Sequence, residues 1–83
     1  MKVLLADSND ITLIGIQSIL KSESGLEMVG EARNNDQLIS ILNEFEVDLL
    51  MIDYTATGFN IDVIPEVLQR FPKINVLAIT PEQ

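Results

Sequence analysis

The strongest constraint on the fold is the way in which two kinds of apolar segment alternate along the chain. Four short apolar runs, typical of buried parallel strands, cover residues 3–6, 26–29, 47–52 and 74–79. Between them lie longer segments with apolar residues at helical spacing, at 11–21, 36–45 and 61–71. This order predicts an α/β fold, β1-α1-β2-α2-β3-α3-β4, in which right-handed crossovers join the strands of a parallel sheet.

Single residues within these segments refine the prediction. The run 47–52 is apolar apart from Asp48, as a central strand buried on both faces requires, whereas the shorter run 26–29 contains Glu27 and predicts an edge strand. Asp10 is the predicted N-cap of the first helix. Pro65 is tolerable only in a first helical turn, so the third helix is expected to begin late in its segment.

Composition excludes several classes of function. The chain has 83 residues, enough for one domain at most, and its net charge of −8 disfavours direct contact with nucleic acid. It has no cysteine and no histidine, which excludes disulfides, thiolate metal sites and imidazole as a ligand or general base. No apolar run approaches the ~20 residues of a membrane span. We therefore expect a cytoplasmic domain with no membrane contact.

Three of the apolar runs end in residues that can bind a cation or a phosphoryl group, namely Asp7, Asp53 and Thr80. In a parallel sheet these residues meet at one edge, where open α/β folds bind ligands. Two carboxylates and a hydroxyl can hold a hard cation together with a phosphoryl group. Taken singly, each residue has an ordinary structural explanation, such as capping the next helix. Their coincidence at three strand ends favours a site.

The motifs KVLLAD, MVGEA, VDLLMID and FPKINVLAIT, in this order, resemble the receiver domain of two-component response regulators. The similarity is greatest to receivers that precede a helix-turn-helix DNA-binding output domain. It extends over the whole chain and implies a flavodoxin-like sheet with strand order 2-1-3-4. It also implies that residues 1–83 are a partial receiver, truncated after strand four, without the family's fourth helix, fifth strand and fifth helix.

The resemblance assigns roles to individual residues. Asp53 matches the phospho-acceptor, which takes a phosphoryl group from a histidine kinase as an acyl phosphate. Thr80 matches the hydroxyl residue that senses the phosphoryl group. Asp7, Asp53 and the backbone carbonyl of Thr55 match the ligands of Mg²⁺. Ser8 stands where the family has a second acid, so it offers a hydroxyl or a positioned water, and the implied Mg²⁺ binding is weak.

Further departures from the family leave more than one function open. Ala56 and Thr57 replace the family's Met-Pro, and the family's lysine at the end of strand five lies beyond Gln83. The first hypothesis is a phosphorylated signalling receiver, not an enzyme, which controls transcription through a separate output domain. The second is a degenerate receiver that acts as an unphosphorylated protein-interaction or dimerisation module. A flavodoxin-type small-molecule binder is disfavoured, because residues 7–10 contain no glycine and carry the wrong charge for a phosphate loop.

The order of the segments also predicts self-association. Strand four is the last strand of the chain and forms an apolar sheet edge, and such an edge is a template for another strand. Ile11 and Ile14 lie off the core stripe of the first helix. We therefore expect a homodimer, formed edge to edge through strand four or through helix one, with twofold symmetry.

Overall fold

Strands and helices alternate strictly in the computed structural model, which describes residues 1–79. The elements in chain order are β1 (Lys2–Ala6), α1 (Asp10–Lys21), β2 (Glu27–Ala32), α2 (Asn35–Glu44), β3 (Leu49–Ile52), α3 (Val63–Arg70) and β4 (Asn75–Ala78). All strand pairings are parallel, and the sheet order is β2-β1-β3-β4. The predicted α/β class, element order and strand order are confirmed. Within the described range, no helix is long and apolar enough to cross a bilayer.

The core is divided unequally between the two faces of the sheet. On one face, Leu4 and Leu50 are completely shielded beneath α2 and α3, in the larger of two buried clusters. On the other face, α1 is the one helix of residues 1–79 that packs against a small cluster made of Val3, Leu5 and Leu13. The division follows from the period-two alternation of side chains along β1 and β3. We call these the α2/α3 face and the α1 face.

Within residues 1–79, α1 covers the α1 face mainly on its β1 and β2 side. Asp10, Ile14 and Gln17 form one stripe of α1, since they are four and three residues apart, and the side chains of Asp10 and Gln17 bond to residues of β2 and its end. Ile14 therefore lies on the flank toward β2. Ile19 lies on the opposite flank, toward β3 and β4, where Leu77 is exposed. We call the region of Ile19, Met51 and Leu77 the open half-face.

The start of α1 corrects one prediction. Asn9, not Asp10, is the N-cap, because the Asn9 side chain accepts a hydrogen bond of 3.0 Å from the backbone N–H of Thr12. Asp10 is the first residue of the helix, and its carboxylate pairs with Arg33. Asn9 and Asp10 are both suitable caps by residue type, and the helix begins one residue earlier than predicted.

The second strand is longer than its apolar run. β2 spans Glu27–Ala32 rather than 26–29, and its pairing with β1 shifts register between Val3 and Leu4, as at a β-bulge. Its predicted edge position is confirmed. Glu31 is tolerated within this strand because it accepts a hydrogen bond from the Gln17 side chain of α1. The late start of α3 is also confirmed, with Pro65 in the first turn.

Candidate functional site

The two aspartates lie side by side at the carboxyl edge of the sheet. Asp7 directly follows β1 and Asp53 directly follows β3. The ladder of hydrogen bonds continues one residue past the strands, since the Asp53 N–H donates to the Ala6 carbonyl at 3.0 Å. In a parallel ladder this bond sets Asp53 opposite Asp7, on strands about 4.8 Å apart. The structure thus brings together the two carboxylates that the strand ends were predicted to bring together.

Both carboxylates are buried and held by the turns that follow them. Asp7 is 5% exposed and Asp53 is 8% exposed. The Asn9 N–H donates to Asp7 Oδ1 at 2.9 Å, and Asp53 Oδ1 accepts from both the N–H of Thr55, at 2.9 Å, and its hydroxyl. These bonds offset part of the cost of burying a charge. Within residues 1–79, the side-chain hydrogen bonds to this pair all use Oδ1, so Oδ2 of each carboxylate is the oxygen for a ligand.

Of the other three predicted site residues, the structure describes Thr55 and Ser8 but not Thr80. Thr55 lies in the turn after Asp53 and donates its hydroxyl and N–H to the Asp53 carboxylate, while a ligand role for its carbonyl stays a prediction. Ser8 follows Asp7 and is partly exposed, at the rim of the pair. Thr80 lies outside the described residues, so its predicted hydroxyl role also stays a prediction.

The donor set at this edge fits a magnesium ion that keeps much of its water. Mg²⁺ is commonly held by one or two carboxylates, with waters and phosphate oxygens completing its shell. Asp7 and Asp53 supply two adjacent carboxylates. No group of three or more acidic, histidine or cysteine side chains is gathered within residues 1–79. The pair therefore suits a partly hydrated ion rather than a cage made only of protein ligands.

One charged residue at this edge is not among the predicted site residues. The Asp7 N–H donates to the Ala32 carbonyl at 3.0 Å, which sets Arg33 opposite Asp7 on the other side from Asp53. The Arg33 guanidinium pairs with the carboxylate of Asp10. Arg33 lies well past the apolar run 26–29, so its place depends on the true length and register of β2. The place of Arg33 at the site follows from the pairing of β2 with β1, and no local motif indicates it.

The loop after Asp53 is fastened to the start of α2. Gly58 has a φ of +96°, and its carbonyl accepts a hydrogen bond of 3.0 Å from the N–H of Asn35. A Cβ at position 58 would lie 2.9 Å from the carbonyl oxygen of Arg33, too close for any side chain. The loop that carries Thr55 is thereby held against the end of β2, which fixes the surroundings of Asp53.

A separate apolar groove lies at the opposite, amino edge of the sheet. It has a volume of about 300 Å³, and its lining includes Leu42, Phe45, Val47, Phe71 and Ile74. It shares no residue with the carboxylate pair. The buried carboxylates, Asp7 and Asp53, lie at the carboxyl edge instead.

The sequence is similar to that of a known response regulator. It is 30% identical over 81 residues to the response regulator protein VraR of Staphylococcus aureus, aligned over 96% of this chain and 39% of VraR. The chain thus spans well under half the length of the curated relatives it matches. A scan against known sequence families finds no match.

Solved structures share the fold. The isolated REC domain of RcsB from Salmonella enterica serovar Typhimurium, in the presence of the phosphomimetic BeF₃⁻, superposes with a TM-score of 0.92 at 26% identity, over 100% of this chain and 63% of that one. A structure of two RcsB dimers bound to two parallel DNAs gives a TM-score of 0.90 at 27% identity, over 96% of this chain and 43% of that one. In sequence and in fold, the chain is a homologue of two-component response regulators, matched over their receiver region.

Proposed function

We propose that the chain is a phospho-acceptor receiver module of a two-component phosphorelay, with Asp53 as the acceptor. The observation that carries the proposal is the buried pair Asp7 and Asp53 at the carboxyl edge, with Asp53 fixed by Thr55. Two hydrogen bonds to Oδ1 hold the Asp53 carboxylate in one orientation. Oδ2 is then the nucleophile, since the lone pairs of Oδ1 already accept the N–H and the hydroxyl of Thr55.

The transfer step needs few groups from the protein. Asp53 Oδ2 forms a bond to the phosphorus of a phosphohistidine on a histidine kinase, while the phosphorus–nitrogen bond breaks. The electron pair of that bond stays on the imidazole nitrogen, which takes a proton, and Asp53 becomes an acyl phosphate. A carboxylate oxygen attacks with its own lone pair and has no proton to give up, so no general base is required. This agrees with a chain that contains no histidine.

Mg²⁺ would be held by Asp7, Asp53 and the carbonyl of Thr55, and when bound it would neutralise charge on the phosphoryl oxygens. Ser8 adds no charge to this set, so the affinity is low. Asp7 keeps a second carboxylate beside the acceptor, which binds the ion but repels an anionic donor in its absence. Thr80 is the proposed hydroxyl partner of the phosphoryl group.

The proposed partners are a histidine kinase and a DNA-binding output element. We propose a histidine kinase as phosphodonor and control of transcription as the output, by analogy with RcsB, whose structures include complexes with DNA. The net charge of −8 supports an output element outside this chain as the DNA-binding part, because a field of that sign repels phosphate backbones.

A second copy of the chain is the proposed occupant of the open half-face. Ile19 is 65% exposed and Leu77 is 48% exposed, and Leu77 is paired across the sheet with the partly buried Met51. The surface extends from the Ile19 side of α1 to Leu77 on β4, which is an edge strand of the described sheet. A twofold axis would set this surface against itself and bury it in both copies. The association of RcsB into dimers supports self-association, without indicating which surface is used.

Intact-mass analysis after incubation with Mg²⁺ and acetyl phosphate tests the proposal. The wild-type protein should gain one phosphoryl group, and Asp53→Asn should gain none. Asp62→Asn is the matched control, because Asp62 is an exposed acid on the same loop and should leave the adduct unchanged. An adduct that survives in Asp53→Asn would refute the acceptor assignment. No adduct in the wild type under any condition would favour the unphosphorylated interaction module, which the serine at position 8 already makes the second candidate.

A further inference from the structure

We propose that Arg33 binds the phosphoryl group on Asp53, exchanging its present partner Asp10 for phosphoryl oxygens. The inference rests on the proposed function and adds a phosphoryl-binding residue to it. Arg33 is not among the residues that the receiver resemblance assigns to the site.

Strand pairing places Arg33 at the same level along the sheet as Asp7 and Asp53. Arg33 is opposite Asp7, and Asp7 is opposite Asp53, through ladder hydrogen bonds of 3.0 Å each. Two strand spacings separate Arg33 from Asp53, roughly 10 Å between backbones. An extended arginine side chain and an aspartyl phosphate together cover that span. Alternation along the strands sets all three residues on the α1 side, because the residues two earlier, Leu5, Met51 and Glu31, face α1 or its cluster.

The distribution of charge makes Arg33 the basic residue suited to this task. The sequence has five basic residues, all of which lie within the described range. The other four lie at or near the amino edge of the sheet, at the start of β1, the end of α1, the end of α3 and just before β4: Lys2, Lys21, Arg70 and Lys73. A phosphoryl group brings roughly −2 charge to an edge that already has two carboxylates. Arg33 is the described cation able to offset that charge.

The present partner of Arg33 is easily exchanged. Arg33 is 47% exposed and Asp10 is more exposed still, and ion pairs at the surface contribute little to stability. A guanidinium forms stronger, bidentate hydrogen bonds with a phosphoryl group. Glu31, whose carboxylate lies 3.8 Å from the guanidinium, keeps the side chain near this edge. Ser8 matters here as well, because an acid at that position would compete for the guanidinium.

The rate of phosphorylation by acetyl phosphate gives the first test. Arg33→Gln should slow formation of the adduct about tenfold, the effect of losing a hydrogen bond between charged groups. Asp10→Asn frees the guanidinium and should accelerate it. Arg70→Gln is the matched control, because Arg70 is 45% exposed and pairs with a surface acid, Glu66, at 3.2 Å, but lies at the other edge. It should react at the wild-type rate.

Equilibrium binding of beryllofluoride gives a readout without catalysis. The affinity of Arg33→Gln for this phosphoryl mimic should fall about tenfold, and in the wild type its addition should shift the Arg33 Nε–H resonance. Circular dichroism checks that the variant is folded. Equal rates and equal affinities in Arg33→Gln and the wild type would overturn the assignment of Arg33 while leaving Asp53 as acceptor. Absence of any adduct in the wild type would instead refute the proposed function itself, and the assignment with it.

Discussion

The two faces of the sheet differ in how much they bury and in what they carry. The cluster on the α2/α3 face contains eleven buried apolar residues, whereas the cluster on the α1 face contains three. Two neighbouring strand positions show the contrast, since Leu50 is completely buried on the first face and Leu77 is half exposed on the second. Most of the burial that stabilises the fold therefore comes from one face.

The candidate site belongs to the other face. Asp7 and Asp53 continue the alternation of Leu5 and Met51, so they follow the α1 side of the strands. A phosphoryl site needs access for its donor, and charged residues are costly beneath a fully packed layer. The sparsely covered α1 face leaves access for a donor and avoids that cost. The packed α2/α3 face fixes the strands that position the carboxylates.

The largest expected effect is on stability, and it separates the two faces directly. Leu50→Ala should lower the free energy of unfolding by about 3 kcal/mol, because it opens a cavity in the packed face. Leu77→Ala, the same change on the open half-face, should cost less than about 1 kcal/mol. Urea denaturation measures both, at a protein concentration low enough to keep the chain monomeric. Similar losses in the two variants would contradict the unequal division of the core.

The second prediction concerns association through the open half-face. Leu77→Asp should convert the proposed dimer of the 83-residue chain into a monomer, because a charge cannot be buried there without a partner. Ile14→Asp is the control, since Ile14 is also exposed but lies on the flank toward β2. Light scattering at high concentration measures the mass. A wild-type chain that is folded and monomeric would show that this surface is not covered by a second copy.

The smallest expected effect is at the rim of the site. Ser8→Asp adds a third acid beside Asp7 and should destabilise the metal-free protein by about 0.5 kcal/mol through repulsion between like charges. The same change should tighten Mg²⁺ binding several-fold, because charge on the ligands governs the affinity for a hard cation. Calorimetric titration of both proteins checks this. Equal Mg²⁺ affinities would mean that position 8 does not face the carboxylate pair.

The sequence predicts the element order and the meeting of Asp7 with Asp53, because both follow from apolar runs that end in an acid. It does not predict Arg33, since that position depends on the bulge and on the register between β1 and β2. The N-cap of α1 was also misplaced by one residue, because Asn9 and Asp10 are equally good caps by type. Local patterns determine the helices and strands. Pairing between strands that are distant in sequence determines which residues lie side by side at the site.

Mapping the phosphoryl group to a single residue tests the central claim most directly. After reaction with acetyl phosphate, borohydride reduces an aspartyl phosphate to homoserine, which peptide mass spectrometry can locate. We expect homoserine at position 53 in the wild-type protein, and at the same position but more slowly formed in Arg33→Gln. Homoserine at any other position, with residue 53 still aspartate, would contradict the assignment of Asp53 as the acceptor.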